Sequence, residues 1–181
     1  VRDGARGLSP AVEGTGAADA PAPAPTLART TQIVADVERA LAFYARLGFA
    51  VEAEMGGVRD PAATSFPLNA ASTRSRLVIL GSPSGGGKLG LLAFDAPAPA
   101  DAGPPRDRLG RGDAVLVLDV PDALAQHAAL VAAGARVVAP PQVYRSRRTD
   151  ERGRPMAGRV FHAFDPDGNL LELLEAPRPV D

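Results

Sequence analysis

One histidine and one glutamate near the end of the chain are spaced to work together. Phe164 and Leu170 flank a short polar turn, Asp165–Asn169. If the strands on either side pair, His162 falls opposite Glu172, with the Cβ atoms about 5 Å apart. A neighbouring carboxylate poises a histidine as a proton acceptor. The pattern predicts His162 and Glu172 as catalytic residues, unless Glu172 only satisfies a buried histidine or a one-residue slip turns His162 to the opposite face.

Other residue types restrict the chemistry further. The chain has no cysteine and only two histidines, so disulfides, thiolate metal sites and a cysteine nucleophile are excluded. The second histidine, His127, lies in a helical pattern and is predicted to be a packing or surface residue. The Ser82–Gly87 stretch resembles a phosphate loop but lacks the Gly-Lys-Ser/Thr ending, which favours a simple turn.

Two loop-like stretches have the composition of segments at the entrance to a site. Gly56–Ser75 carries Phe66 among small polar residues, and Tyr144–Gly158 contains five arginines. Long loops of this kind are often functional, so Phe66 and Tyr144 are predicted to contact a ligand. The basic run is either a lid that favours an acidic ligand or a solvated surface.

An internal repeat predicts the elements that position these residues. Asp36 and Asp119, 83 residues apart, each follow an apolar strand-like run and are expected to cap a helix. The first helix has apolar residues at Ala40, Leu41, Tyr44 and Leu47 before Gly48, and the second at Leu124, Ala128 and Val131 before Gly134. Three strands are expected after each helix, at 49–53, 76–80 and 89–94 and at 135–139, 159–164 and 170–174.

The repeat predicts an α+β fold of two βαβββ modules, whose curved mixed sheet surrounds a cleft. Residues 1–26 are rich in Ala, Pro and Gly and are expected to form a flexible tail. The Pro-rich stretch 96–111 is expected to be a linker. The modules are then residues 27–95 and 112–177.

Two motifs resemble the vicinal oxygen chelate superfamily, which includes glyoxalases, bleomycin-resistance proteins and extradiol dioxygenases. Asp36–Tyr44, followed by Leu47–Phe49, is similar to the first helix of these proteins. Phe164–Leu173, with its Asp-Pro-Asp-Gly turn, is similar to their closing hairpin. The similarity spans residues 27–176.

The resemblance implies metal ligands at positions that this chain fills differently. Members typically carry His or Gln seven residues before the helix-capping Asp, but here those positions are Arg29 and Gly112. The last strand of the first module offers no carboxylate, so only Glu172 remains, with His162 as a second donor if a metal binds at all. A lone carboxylate is a poor anchor for zinc or iron.

Strand parity places Arg29 and Thr31 on the cleft face of the first strand. A guanidinium beside Glu172 can take the charge role of a metal and still present donors to a ligand. Arg29 and Thr31 are therefore predicted ligand-binding residues, although Arg29 is otherwise an exposed residue at a strand end. Gln32 has the opposite parity and is expected to face the helix.

Composition excludes several classes of partner. The net charge of −1 argues against a nucleic-acid binder, and no apolar run approaches the roughly 20 residues that span a membrane. With no cysteine and no signal-like segment, a cytoplasmic protein is expected. The resemblance also implies a homodimer.

Three functions stay open at this point, and the sequence does not specify the ligand. The first is a small-molecule binder or a metal-independent acid/base enzyme, with no cofactor. The second is a metal-dependent lyase, isomerase or dioxygenase that uses a divalent metal. The third is a non-catalytic interaction module.

Overall fold

The chain forms two sheets, each with one helix packed on one face. The computed structural model describes residues 26–58, 60, 67–68, 71–95, 97–100 and 109–180. The strands are Thr30–Ile33 (β1), Ala50–Val58 (β2), Arg74–Gly81 (β3), Lys88–Asp95 (β4), Val115–Val120 (β5), Gln142–Thr149 (β6), Pro155–Phe164 (β7), Leu170–Glu175 (β8) and Arg178–Pro179 (β9). The helices are Val37–Arg46 (α1) and Ala123–Ala132 (α2).

The two sheets have the same strand order. The first runs β1-β4-β3-β2 and the second β5-β8-β7-β6, with β9 added beside β7. In each sheet the first strand is parallel to the last, and the other main pairs are antiparallel. The predicted α+β fold of two βαβββ modules is confirmed. Within the described residues, no helix is long and apolar enough to cross a membrane.

Helix α1 begins and ends as its sequence predicts. Asp36 caps it, because its Oδ1 accepts a hydrogen bond from the backbone N–H of Arg39 at 3.1 Å. Gly48 follows the helix with a φ of 84°, a conformation that glycine adopts without strain. Val37, Ala40 and Tyr44 lie three and four residues apart and are buried against the sheet.

Helix α2 corrects the predicted repeat. Its cap is Asp122, whose Oδ1 accepts from the N–H groups of Leu124 and Ala125, whereas Asp119 lies within β5. The helices begin 86 residues apart, not 83. The apolar runs that end at Asp36 and Asp119 are similar, and aligning them gave the shorter offset of 83 residues. In β5, however, Asp119 is part of the strand and does not cap the helix.

The buried face of α2 also differs from its prediction. Leu124 and Val131 are half exposed, and the buried residues are Ala123 and Leu130. With the offset of 86 residues, Leu130 is the counterpart of Tyr44. The offset of 83 residues had instead aligned His127 with Tyr44. His127 instead packs edge-on against Phe161, with the ring centroids 5.3 Å apart, as expected of a packing residue.

Two segments of the second module form different elements from those predicted. Residues 135–139 make only an isolated bridge between Val137 and Ala163, and the strand begins later, at β6. The predicted loop Tyr144–Gly158 is mostly β6 and β7, joined by a turn in which Arg154 Nε donates to Asp150 Oδ2 at 2.8 Å. Because β6 contains several arginines, its sequence was interpreted as a loop, although exposed edge strands often carry charged residues.

Some predictions fall on parts of the chain that are not described. The expected tail lies outside the described residues apart from Thr26, and so does most of the expected linker. The ends of the predicted loop Gly56–Ser75 belong to β2 and β3, and Phe66 lies outside the described residues.

One apolar core extends under both helices and both sheets. Its largest fully buried side chains are Tyr44, Val78, Leu80, Leu89, Leu91, Leu130, Leu171 and Leu173. Residues of the two modules contribute to the same cluster, which therefore holds the modules against each other.

A buried carboxylate joins the modules at one end of this core. Asp165, in the β7–β8 turn, accepts at Oδ2 from the Tyr44 hydroxyl of α1 at 2.9 Å. Its Oδ1 accepts from the backbone N–H of Asp167 and of Asn169 within the turn. Asp167 in turn accepts from the N–H of Ala35 at 2.8 Å. These contacts fix the second module's turn to the start of α1.

Tyr44 is held as a neutral phenol. Its hydroxyl lies between Asp165 and the side chain of Gln32, 2.9 Å from each, which confirms that Gln32 faces the helix. Burial, reinforced by the charge of Asp165, raises the pKa of Tyr44 well above its ordinary value.

Tyr44→Phe is expected to lower the free energy of unfolding by about 1–3 kcal/mol, because it removes the hydroxyl that lies between Gln32 and the buried Asp165 and leaves each with one fewer polar partner. Since the folded state raises the pKa of Tyr44, wild-type stability should fall above about pH 10, where tyrosine ionises in the unfolded chain. The alkaline fall should be shallower in the variant. Urea unfolding between neutral and alkaline pH measures both effects.

Tyr144→Phe is the matched control, because it also removes a hydroxyl that donates one hydrogen bond. The inter-module role of Tyr44 would be contradicted if the two variants lost equal stability.

Candidate functional site

The second sheet has one covered face and one open face. Leu171 and Leu173 of β8 are fully buried under the helices, so the alternate residues Leu170 and Glu172 lie on the other side. We call that side the open face. It is formed by β5, β6, β7 and β8, and it is the surface on which the predicted catalytic residues fall.

His162 and Glu172 meet on the open face. They are direct cross-strand partners of β7 and β8, and His162 Nε2 lies 3.1 Å from Glu172 Oε2. Their side chains are 38% and 32% exposed, so the pair is accessible to a ligand. The predicted contact is present.

The contact also determines which imidazole nitrogen carries the proton. A carboxylate only accepts hydrogen bonds, so Nε2 of His162 must carry the proton. Nδ1 is then the lone-pair nitrogen of the neutral ring. The arrangement presents a base whose orientation and tautomer are set by Glu172.

Tyr144 lies on the same face but is oriented by a glycine. It is the cross-strand partner of Gly158, and a Cβ on Gly158 would come within 2.8 Å of the Tyr144 ring and hydroxyl. The missing side chain lets the ring lie across β7, where its hydroxyl donates to the carbonyl of Glu175 at 3.0 Å. Burial first, and then the charges of Asp119, Glu175 and Glu172, raise the pKa of Tyr144.

Asp119 is a site residue that the sequence pattern missed, because it was taken for a helix cap. Its effect on Tyr144 places it near the open face, and strand parity puts it beside Val117, which is 53% exposed and neighbours Glu172. The open face therefore combines a histidine, two carboxylates and an apolar surface.

Arg29 and Thr31 contact each other at the start of the first sheet. Arg29 makes no hydrogen bond or salt bridge with Glu172, so the predicted pairing is wrong. Its Nε donates to Thr31 Oγ1 at 3.1 Å, and it lines a cavity at the end of β5. Within the described residues β1 pairs only with β4, and the cavity that Arg29 lines contains Leu116–Val120 of β5 but neither His162 nor Glu172.

The positions at which the superfamily holds a metal do not suit one here. With the corrected spacing, the residue seven before the cap of α2 is Val115 rather than Gly112, and neither provides a ligand. The counterpart of Glu172 in the first sheet is Gly90, since Gly90 pairs with Thr31 as Glu172 pairs with Val117.

The space above Gly90 is already filled. A Cβ there would lie 2.8 Å from Thr31 Oγ1 and 3.2 Å from Leu77 Cδ1. A side chain at this position would require Thr31 to shift and Leu77 to give way slightly. In the described part of the chain, no three His, Asp or Glu side chains are grouped to hold a metal ion.

Comparison with known proteins agrees with this architecture. The family model of the Glyoxalase/Bleomycin resistance protein/Dioxygenase superfamily matches residues 26–173. The chain therefore belongs to this superfamily, also called the vicinal oxygen chelate superfamily. None of the curated proteins matches the sequence.

Solved structures with the same fold come from several organisms. A glyoxalase family protein from Bacillus cereus has a TM-score of 0.65 at 19% identity, over 87% of this chain and 98% of that one. The trypanothione-dependent glyoxalase I of Leishmania major has a TM-score of 0.53 at 19% identity, over 84% and 87%. A glyoxalase family protein from Enterococcus faecalis has a TM-score of 0.52 at 22% identity, over 83% and 97%. At these identities the likeness shows the fold.

Glu172→Ala is expected to lower the free energy of unfolding by less than about 1 kcal/mol, because the His162–Glu172 pair is partly exposed and no other charge depends on it. The same change should abolish the tautomer preference of His162. Long-range ¹H–¹⁵N spectra of the imidazole measure the tautomer, and urea unfolding measures the stability. A large loss of stability would show that Glu172 has a structural role instead.

Proposed function

We propose that this chain is a metal-independent small-molecule-binding member of the superfamily, in which His162 transfers a proton to and from the bound ligand. The observation that carries the proposal is the 3.1 Å contact between His162 Nε2 and Glu172 Oε2 on the open face. A histidine oriented by a carboxylate and accessible from one side is the usual arrangement of a general base.

The expected roles follow from the geometry of the pair. Nδ1 of His162 accepts a proton from the ligand, and Glu172 stabilises the imidazolium that forms. The same pair then returns the proton. Val117 supplies part of an apolar surface beside the pair, which suits an organic ligand with a weakly acidic C–H or O–H group.

The donor set supports a mechanism without a metal. One carboxylate and one histidine are fewer than the three protein ligands of a catalytic zinc. The remaining superfamily positions hold Arg29, Val115 and Gly90, none of which is a metal ligand, and a side chain at Gly90 would require Thr31 to shift.

Two measurements test this function. Protein purified without added metal is expected to contain well under one equivalent of zinc, nickel, manganese or iron by elemental analysis. A thermal-shift screen of small carbonyl and phenolic metabolites should find compounds that raise the melting temperature, since a ligand that binds only the folded state stabilises it.

Variants at the open face test whether any such compound binds there. His162→Gln and Glu172→Gln should reduce the shift, while His127→Gln, the other histidine, should leave it unchanged. A stoichiometric metal that survives dialysis would favour a metal-dependent lyase, isomerase or dioxygenase. A shift that is equal in all three variants would remove His162 from the site.

We also propose that the protein is a homodimer. β2 is an edge strand of its sheet, and it exposes Val51, Met55 and Val58 by 56%, 52% and 84%. Exposed apolar edge strands are prone to pair with other chains. Light scattering at micromolar concentration should therefore give twice the chain mass. A monomeric mass would contradict the proposal.

A further inference from the structure

The two modules contain the same turn with different side chains. The β3–β4 turn reads Ser82-Pro83-Ser84-Gly85 where the β7–β8 turn reads Asp165-Pro166-Asp167-Gly168. Both turns close with a backbone hydrogen bond from the glycine, to Ser82 at 2.9 Å and to Asp165 at 3.1 Å. Gly85 and Gly168 both have positive φ angles, 74° and 85°. The first turn thus has hydroxyls where the second has carboxylates.

The second module also lacks counterparts of the two groups, in Tyr44 and Ala35, that donate to those carboxylates. In α2 the counterpart of Tyr44 is Leu130, which cannot donate to the turn. The counterpart of Ala35, whose N–H binds Asp167, is Pro121, which has no N–H. The first turn therefore lacks the side-chain hydrogen bonds that hold the second turn against α1.

A cavity of about 250 Å³ lies beside the first turn, between the start of β1 and the end of β5. Arg29, Lys88, Ser82 and Ser84 supply its polar side chains, together with Asp119 on the β5 side. Its apolar lining includes Leu47, Phe49, Pro83, Leu89, Leu118 and Val120. The cavity can hold a small molecule with one polar end.

The polar end of the cavity has more donors than acceptors. Arg29 uses Nε to bind Thr31, and in the part of the chain that the structure describes neither Nη group has an acceptor. Lys88 is 53% exposed and binds Glu52 at the rim. The Ser82 and Ser84 hydroxyls lie 2.9 Å apart and bind each other. A planar guanidinium with free Nη groups matches the two oxygens of an oxyanion.

We propose that this cavity binds a small organic oxyanion, a carboxylate or phosphate ester with a short apolar part. Its oxygens would take the place that the aspartates occupy in the second turn, with Arg29 as the main countercharge and the serine hydroxyls as further donors. Asp119 on the other wall favours a ligand with a single negative charge. The cavity shares Val117 and Asp119 with the open face, but neither His162 nor Glu172 lines it.

Calorimetric titration with butyrate and with inorganic phosphate tests the proposal. At least one probe should bind with a stoichiometry of one, and Arg29→Gln should weaken it about tenfold or more, the loss expected for a charge-assisted hydrogen bond. Arg74→Gln is the matched control, because Arg74 is exposed and does not line the cavity. It should leave binding unchanged.

The double variant Ser82→Asp/Ser84→Asp gives a second test, because it puts the carboxylates of the other turn into the cavity. It should abolish binding of both probes while circular dichroism stays unchanged. Binding of butyrate alone identifies a carboxylate site, and binding of phosphate alone a phosphate site. Failure of both probes to bind wild type, or equal binding by Arg29→Gln, would overturn the proposal, whereas His162→Gln should leave this site intact.

Discussion

The hydrogen bond from Tyr44 to Asp165 is the buried polar contact between the two modules, beside the apolar core that they share. β1 and β5 each pair only within their own sheet, so no described strand pairing holds the modules together. A buried carboxylate is costly unless it is satisfied, and Asp165 is satisfied by donors from both modules. The conformation of the β7–β8 turn and the position of α1 therefore depend on each other through Tyr44.

The same contact reaches the open face through the hairpin. The turn that Asp165 holds sets the register of β7 against β8, and His162 and Glu172 are partners in that register. A shift of either strand by one residue would turn His162 or Glu172 to the covered face and break the contact. Fixing the turn against α1 thus also fixes the His162–Glu172 contact, which lies three residues from each end of the Asp165–Asn169 turn.

Short-range sequence patterns predicted the structure better than the internal repeat or the expected contacts between the modules. The His162–Glu172 contact follows from alternation across a short turn, and the cap of α1 from a single Asp. Asp119 was misplaced, although Gly48 and Gly134, which end the two helices, already lie 86 residues apart. Arg29 was misplaced because its surroundings depend on how the modules meet, which no local pattern encodes. The strand β6 was missed because its arginines conceal the apolar alternation.

Gly90 has a consequence for how such a protein can evolve. One base change turns many glycine codons into glutamate codons, so a metal ligand at this position is only one mutation away in sequence space. Thr31 and Leu77 make that mutation unfavourable, because both occupy the space that the new side chain needs. Accommodating the new side chain would require Thr31 to shift or to be replaced by a smaller residue. A ligand at this position therefore depends on residues of both neighbouring strands as well as on Gly90 itself.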